Sequence, residues 1–156
     1  MTDKDFVLGI FKEQGKTDAK MLRTRSPQMD GTELIEEEQK IPIYDPTKDY
    51  SGWNAGNPVT DEGQVWVLLQ PHNAAHYGGR PSSLRALWGL AHTKNPEKAK
   101  PWVDPYGTSG MYITDECYLS EDGRVFRALQ DNLVHDAEAF PSGWVEVQPM
   151  GEFLSR

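Results

Sequence analysis

A single cysteine, Cys117, among 156 residues rules out an intramolecular disulfide, so small modules in this chain must hold together without one. No stretch approaches the roughly 18 consecutive apolar residues of a membrane-spanning helix, and no membrane partner is expected. Basic residues are scarce beside acidic ones: 16 Lys+Arg stand against 24 Asp+Glu, for a formal net charge of -8. A protein that tracks phosphates needs a basic stripe, so no nucleic-acid partner is expected either. The opening MTDKDFVLGIF lacks the basic start, apolar run and small-residue cleavage site of a secretory leader. It predicts a protein made in the cytosol that matures there or leaves by lysis.

A catalytic constellation is missing too, and the chain is read as a non-enzyme without cofactor or metal. His72 and His76 have the spacing that metal ligands use on a helix, but HNAAH lacks the glutamate of a zinc-protease motif and falls in an expected loop. A loop-fixing hydrogen bond is the preferred role for these histidines. Cys117 sits in the probable strand ITDECYL and reads as a partly buried small hydrophobe. Asp45, Asp49, Asp61 and Glu62 are the nearest approach to paired hydrolytic carboxylates, yet their settings are the ordinary turn uses of acidic residues.

What the chain does have is a repeat. DEGQVWVLLQPHNAAHYGGRPSSLRALW begins at Asp61, and EDGRVFRALQDNLVHDAEAFPSGW begins at Glu121. In one register Gly63 matches Gly123, Val65 matches Val125, Trp66 matches Phe126, Leu69 matches Leu129 and Gln70 matches Gln130. Pro81-Ser82 then falls on Pro141-Ser142, and Trp88 and Trp144 close the two copies. A lead-in repeats as well, Ile41-Pro42-Ile43-Tyr44-Asp45-Pro46 against Lys100-Pro101-Trp102-Val103-Asp104-Pro105. Two tandem copies of one small module are expected.

Before the first copy, periodicity predicts helix. Phe6, Val7, Ile10 and Phe11 line one face of a helix from Asp3 to about Lys16, with Gly15 where a C-terminal glycine belongs. That face is the candidate assembly interface of a homo-oligomer, with packing on the chain's own first module as the alternative. Shorter helical pieces are expected over Thr17–Arg25 and Gly31–Lys40, the latter with a solvated Glu36-Glu37-Glu38 run. From Ile41 the pattern changes to short strands and Gly/Pro/Asn/Asp turns. Val65, Val67 and Leu69 point one way and Trp66, Leu68 and Gln70 the other, so a strand from Gln64 to Gln70 is expected at the centre of its sheet. The reading is a helical segment over 1–40, β modules over 41–90 and 101–148, a polar connector over 91–100 and a tail over 149–156. The fold class is mainly β, with two tandem small antiparallel-sheet modules of carbohydrate-binding-module type.

Those modules resemble the chitin-binding-type carbohydrate-binding modules of families five and twelve. The resemblance rests on Tyr50, Gly56, Val59, Gly63, Val65-Trp66, Pro81 and Trp88, and in the second copy on Tyr106, Gly110, Leu119, Gly123, Val125-Phe126, Pro141 and Trp144. The segments KDYSGW, DEGQVWVLLQPHNAAHY, HTKNPEKAKPWVDPYGTSGMY and PSGWVEV are further similar to small phage and prophage proteins encoded among tail or virion genes of Gram-positive hosts. That likeness implies a virion or tail-like-particle component, with other virion or tail proteins and a host cell-wall glycan as partners. A purely structural virion protein or assembly factor is the alternative. Sugar-binding members expose an adjacent aromatic pair after the second strand, where this chain has Leu68-Leu69-Gln70-Pro71-His72 and Ala128-Leu129-Gln130-Asp131-Asn132. A glycan platform must therefore come from Trp53, Tyr77, Trp102, Tyr106 or Tyr112, each weighed against core packing or simple exposure.

Overall fold

A strand that is apolar on both faces is stable only with something packed against each, and β2 (Gln64–Leu68) is such a strand. The structure, a computed structural model describing residues 15–148, supplies both covers. β2 lies between β1 (Pro58–Asp61) and β3 (Trp88–Leu90) in an antiparallel sheet. The expected central strand is therefore central, although it ends at Leu68 rather than Gln70. Trp66 and Leu68 face an aromatic core with Tyr44, Tyr50, Val59 and Trp88. Val65, on the other side, packs with Leu22, Leu34, Ile35, Ile41 and Ala91.

That second cover is the N-terminal helical region. Helix α1 covers residues 15–25, and α2 (Gly31–Glu36) follows after a short 3-10 turn. Gly15 is itself helical and not left-handed, so it does not play the terminating role expected of it. The candidate assembly residues Phe6, Val7, Ile10 and Phe11 lie outside the described residues. α2 starts at a capping box: Glu33 N–H donates to Asp30 Oδ1 at 2.8 Å, and Asp30 N–H donates to Glu33 Oε1 at 3.1 Å. It is shorter than expected, giving way at Glu37 to a 3-10 turn over Glu38–Lys40. The glutamate run is engaged rather than merely solvated. Glu36 accepts from Asn95, Glu37 pairs with Arg25 and Lys40, and Glu38 pairs with Lys100.

The second sheet runs β4 (Lys100–Pro101), β5 (Cys117–Leu119), β6 (Val125–Ala128) and β7 (Trp144–Val147). It corrects the expectation of purely antiparallel modules, because β4 pairs parallel with β5. The first module carries the same feature as a single parallel bridge between Ile43 and Thr60. In both, the chain makes a crossover between the lead-in and the next strand, as parallel pairing requires.

Strand register gives the true correspondence of the copies. Val59 pairs with Trp66 as Tyr118 pairs with Phe126, and Leu68 pairs with Trp88 as Ala128 pairs with Trp144. Each module stacks two rings and closes them edge-on with its tryptophan. Tyr44 and Tyr50 stack at 5.9 Å and 7°, with Trp88 at 85° and 90° to them. Trp102 and Tyr112 stack at 5.0 Å and 8°, with Trp144 at 78° and 72°. Thus Tyr112, not Tyr106, is the counterpart of Tyr50, and Tyr118, not Leu119, that of Val59. The lead-in is also one residue out of its sequence register, since Trp102 takes the place of Tyr44 rather than Ile43.

The connector is no free linker. Ala91, His92 and Thr93 are buried, Cys117 N–H donates to Thr93 O, and the His92 ring stacks on Tyr112 at 3.6 Å. Gln64 Nε2 donates to Pro101 O and Arg85 Nη1 to Asp104 O, so the two modules share an interface.

Candidate functional site

The loop that separates Tyr50 from Gly56 differs in length between the two modules. Gly56 N–H donates to Leu68 O and Leu68 N–H to Asn57 O; in the second module Asp115 and Glu116 make the same bonds with Ala128. Gly56 and Asp115 both have positive φ, at 95° and 75°. The expected match of Gly56 with Gly110 is therefore corrected to Asp115. Residues 51–55 fill the first loop, whereas only residues 113–114 separate Tyr112 from Asp115. Trp53 lies in the extra length and has no counterpart.

Asn57 fixes this loop to the end of α1. Its side chain is buried; Nδ2 donates to Arg23 O at 2.9 Å and Ser26 Oγ at 3.0 Å, while Oδ1 accepts from Asn54 N–H at 2.9 Å. α1 and the 3-10 turn after it bury Ala19, Leu22 and Ser26 along one stripe, which leaves the Arg23 side chain at the margin of that contact. Its guanidinium lies over the half-buried Trp53 ring, 4.7 Å from the centroid. Lys48 Nζ lies 5.5 Å from the same centroid and 5.9 Å from that of Tyr50. Tyr50 meets Trp53 edge-on at 4.6 Å.

These groups wall a surface groove of about 500 Å³ that is completed by Lys16, Lys40 and Ile43. Among the described residues, Asp45 is its one acidic lining residue. The Asp45 carboxylate accepts from the Thr47 hydroxyl and amide, which hold its pKa below the usual range. The Tyr50 phenol is pushed up to about 12 by burial and accepts from Asp45 N–H, so it stays neutral at any physiological pH. Neither Arg23 nor Lys48 has a salt bridge among the described residues, although Lys40 is shared with Glu37 at 3.7 Å.

The five candidate platform aromatics do not converge. Tyr112 is 1% exposed at the heart of the second core, and Trp102 stacks on it while donating its indole N–H to Asp104. Tyr112 is thus corrected from platform to core, because its ring lies between His92 and Trp102. Tyr77 and Tyr106 are exposed, at 44% and 65%, but neither borders the Trp53 groove. No protein-family model matches the chain, and no curated protein matches its sequence.

The remaining polar candidates have structural partners. His72 is buried, with Nδ1 donating to Gln70 O at 2.8 Å, and His76 lies near Asn73 in a 3-10 turn. Asp49 accepts from Ser51 N–H, and Asp61 takes two bonds from Arg80, at 2.6 and 2.9 Å. Cys117 is buried in β5, and burial raises its thiol pKa, which keeps it protonated. Among the described residues no three His, Cys, Asp or Glu side chains form a group that could hold a metal ion.

Proposed function

We propose that this chain is a non-enzymatic attachment or decoration protein of a phage or phage-tail-like particle, binding host-surface carbohydrate through its first β module. The observation that carries this reading is the groove beside Trp53. It is concave, has the volume of a small-ligand site, and combines an indole with several polar side chains. Trp53 belongs to a length of loop that the second module lacks, which supports a role beyond stabilising the fold. The particle context rests on the likeness of segments such as KDYSGW and PSGWVEV to phage proteins. Since the second module has no counterpart of Trp53, avidity would come from several copies of the chain rather than from tandem sites. Residues Phe6, Val7, Ile10 and Phe11 are the proposed docking and oligomerisation surface.

The alternative, a purely structural virion protein, is favoured by one observation: Tyr112 is buried in the second core and Trp102 packs half-buried against it. A pull-down on Gram-positive cell walls, chitin and peptidoglycan separates the two readings. It uses the full chain, because Leu22, Leu34 and Ile35 cover the first sheet. Attachment predicts retention on at least one wall preparation and its loss in a folded Trp53→Ala variant. Passage of the unaltered protein through all three would leave the structural reading.

A further inference from the structure

We infer that the Trp53 groove is selective for an acidic saccharide, a sugar bearing a carboxylate or phosphate, with Arg23 and Lys48 as the groups that meet the negative charge. This rests on the carbohydrate-binding reading and adds the class of ligand.

The argument begins with charge. The chain as a whole carries -8, yet among the described residues the groove is lined by Lys16, Arg23, Lys40 and Lys48 against Asp45 alone. Local sign opposite to global sign is a focused field, and a concave wall of protein strengthens it. The second point is how the cations are held. Arg23 and Lys48 both lie within 5.5 Å of the Trp53 ring centre. An indole attracts a cation through its quadrupole and leaves its charge intact. A carboxylate in the same place would have neutralised it. The ring therefore orders two long side chains at the groove without neutralising either charge.

Geometry adds the saccharide. A bare anion site needs only the cations, whereas this groove of about 500 Å³ is also lined by Ile43, Pro42 and Trp53. That mixture fits a sugar ring with a charged substituent: C–H surface against the apolar wall, and the acid toward Arg23 and Lys48. Arg23 is suited to a two-pronged grip on a carboxylate or phosphate, and Lys48 acts as a point charge. Trp53 then works chiefly by positioning the cations, in place of the open stacking platform expected of such modules.

The test is titration calorimetry of the full chain with trigalacturonate, its fully methyl-esterified form, and inorganic phosphate, at low and high salt. Trigalacturonate is expected to bind, with affinity falling as salt rises, and both other probes to bind at least about tenfold more weakly. Arg23→Gln and Lys48→Gln should each weaken trigalacturonate about tenfold while leaving the urea midpoint unchanged. Equal binding of the ester would overturn the charge selectivity, and equal binding of phosphate would overturn the saccharide. If Arg23→Gln unfolds early, Lys48→Gln alone decides, because Lys48 is an exposed loop residue. Wall retention unchanged in that variant would sink this inference while leaving carbohydrate attachment standing; no wall retention by the unaltered chain would sink both.

Discussion

Trp88→Ala is expected to lower the unfolding free energy by about 3–5 kcal/mol. The Trp88 side chain is 0% exposed and sits edge-on to both rings of the first stack, with His72 against it at 5.6 Å. It also lies directly across from Leu68 in the strand register, so its loss opens a cavity between β2, β3 and the tyrosines. Surrounding atoms cannot close that space, because the loop before β3 is anchored by Leu69 N–H donating to Leu87 O. Trp88→Phe is the informative partner. The indole N–H is buried without a protein acceptor, so phenylalanine keeps much of the ring contact and removes an unsatisfied donor. Its cost should stay below about 2 kcal/mol. Urea denaturation of both variants checks this, and an alanine variant within about 1 kcal/mol of the unaltered protein would show that Trp88 does not close the core.

The second large effect is on pH dependence, through His92. Its imidazole is 7% exposed between the modules, stacked on Tyr112 and donating Nε2–H to Gly110 O at 3.0 Å. Burial depresses its pKa from 6.5 to about 4; the bond to Gly110 works the other way, and the nearby Arg85 cation adds to the depression. The unfolded chain therefore takes up a proton below 6.5 that the folded chain refuses until about 4. Stability from this group is fully present above the unfolded value and is lost as pH falls through that window, by about 3 kcal/mol in all. Glu116 works in the opposite sense, since burial raises its carboxyl pKa, but it is common to both proteins in a comparison. His92→Gln, which can still donate to Gly110 O, should flatten the fall in urea midpoint over that interval. Parallel pH curves for the two proteins would contradict the assignment.

Much of the fold was legible because it depends on residue type at fixed spacing. The doubly apolar Val65-Trp66-Val67-Leu68 run could only be a central strand, and Trp88 and Trp144 return where each core needs a lid. The left-handed Gly63 and Gly123 sit in the two expected hairpin turns. Errors arose where distant segments choose between similar residues. Tyr106 and Tyr112 are equally good matches to Tyr50 in sequence, and only the packing of Tyr112 against Trp102 and Trp144 selects the latter. The polarity of HTKNPEKAK suggested a linker, yet its leading residues are buried by contacts with the second module. For the candidate site, Trp53 was visible in KDYSGW, and Lys48 lies in the same motif. Arg23 was not, because nothing local marks it; it reaches Trp53 only through the Asn57 clamp that joins α1 to the loop.

The most direct test of a recognition groove on the first module is the indole N–H region of an NMR spectrum recorded while soluble wall oligosaccharides are added. The five tryptophans each give one such signal. A groove at Trp53 predicts that its resonance moves saturably while those of the buried Trp66, Trp88 and Trp144 stay in place. Movement of Trp102 with Trp53 unmoved would put any binding on the second module and contradict the account.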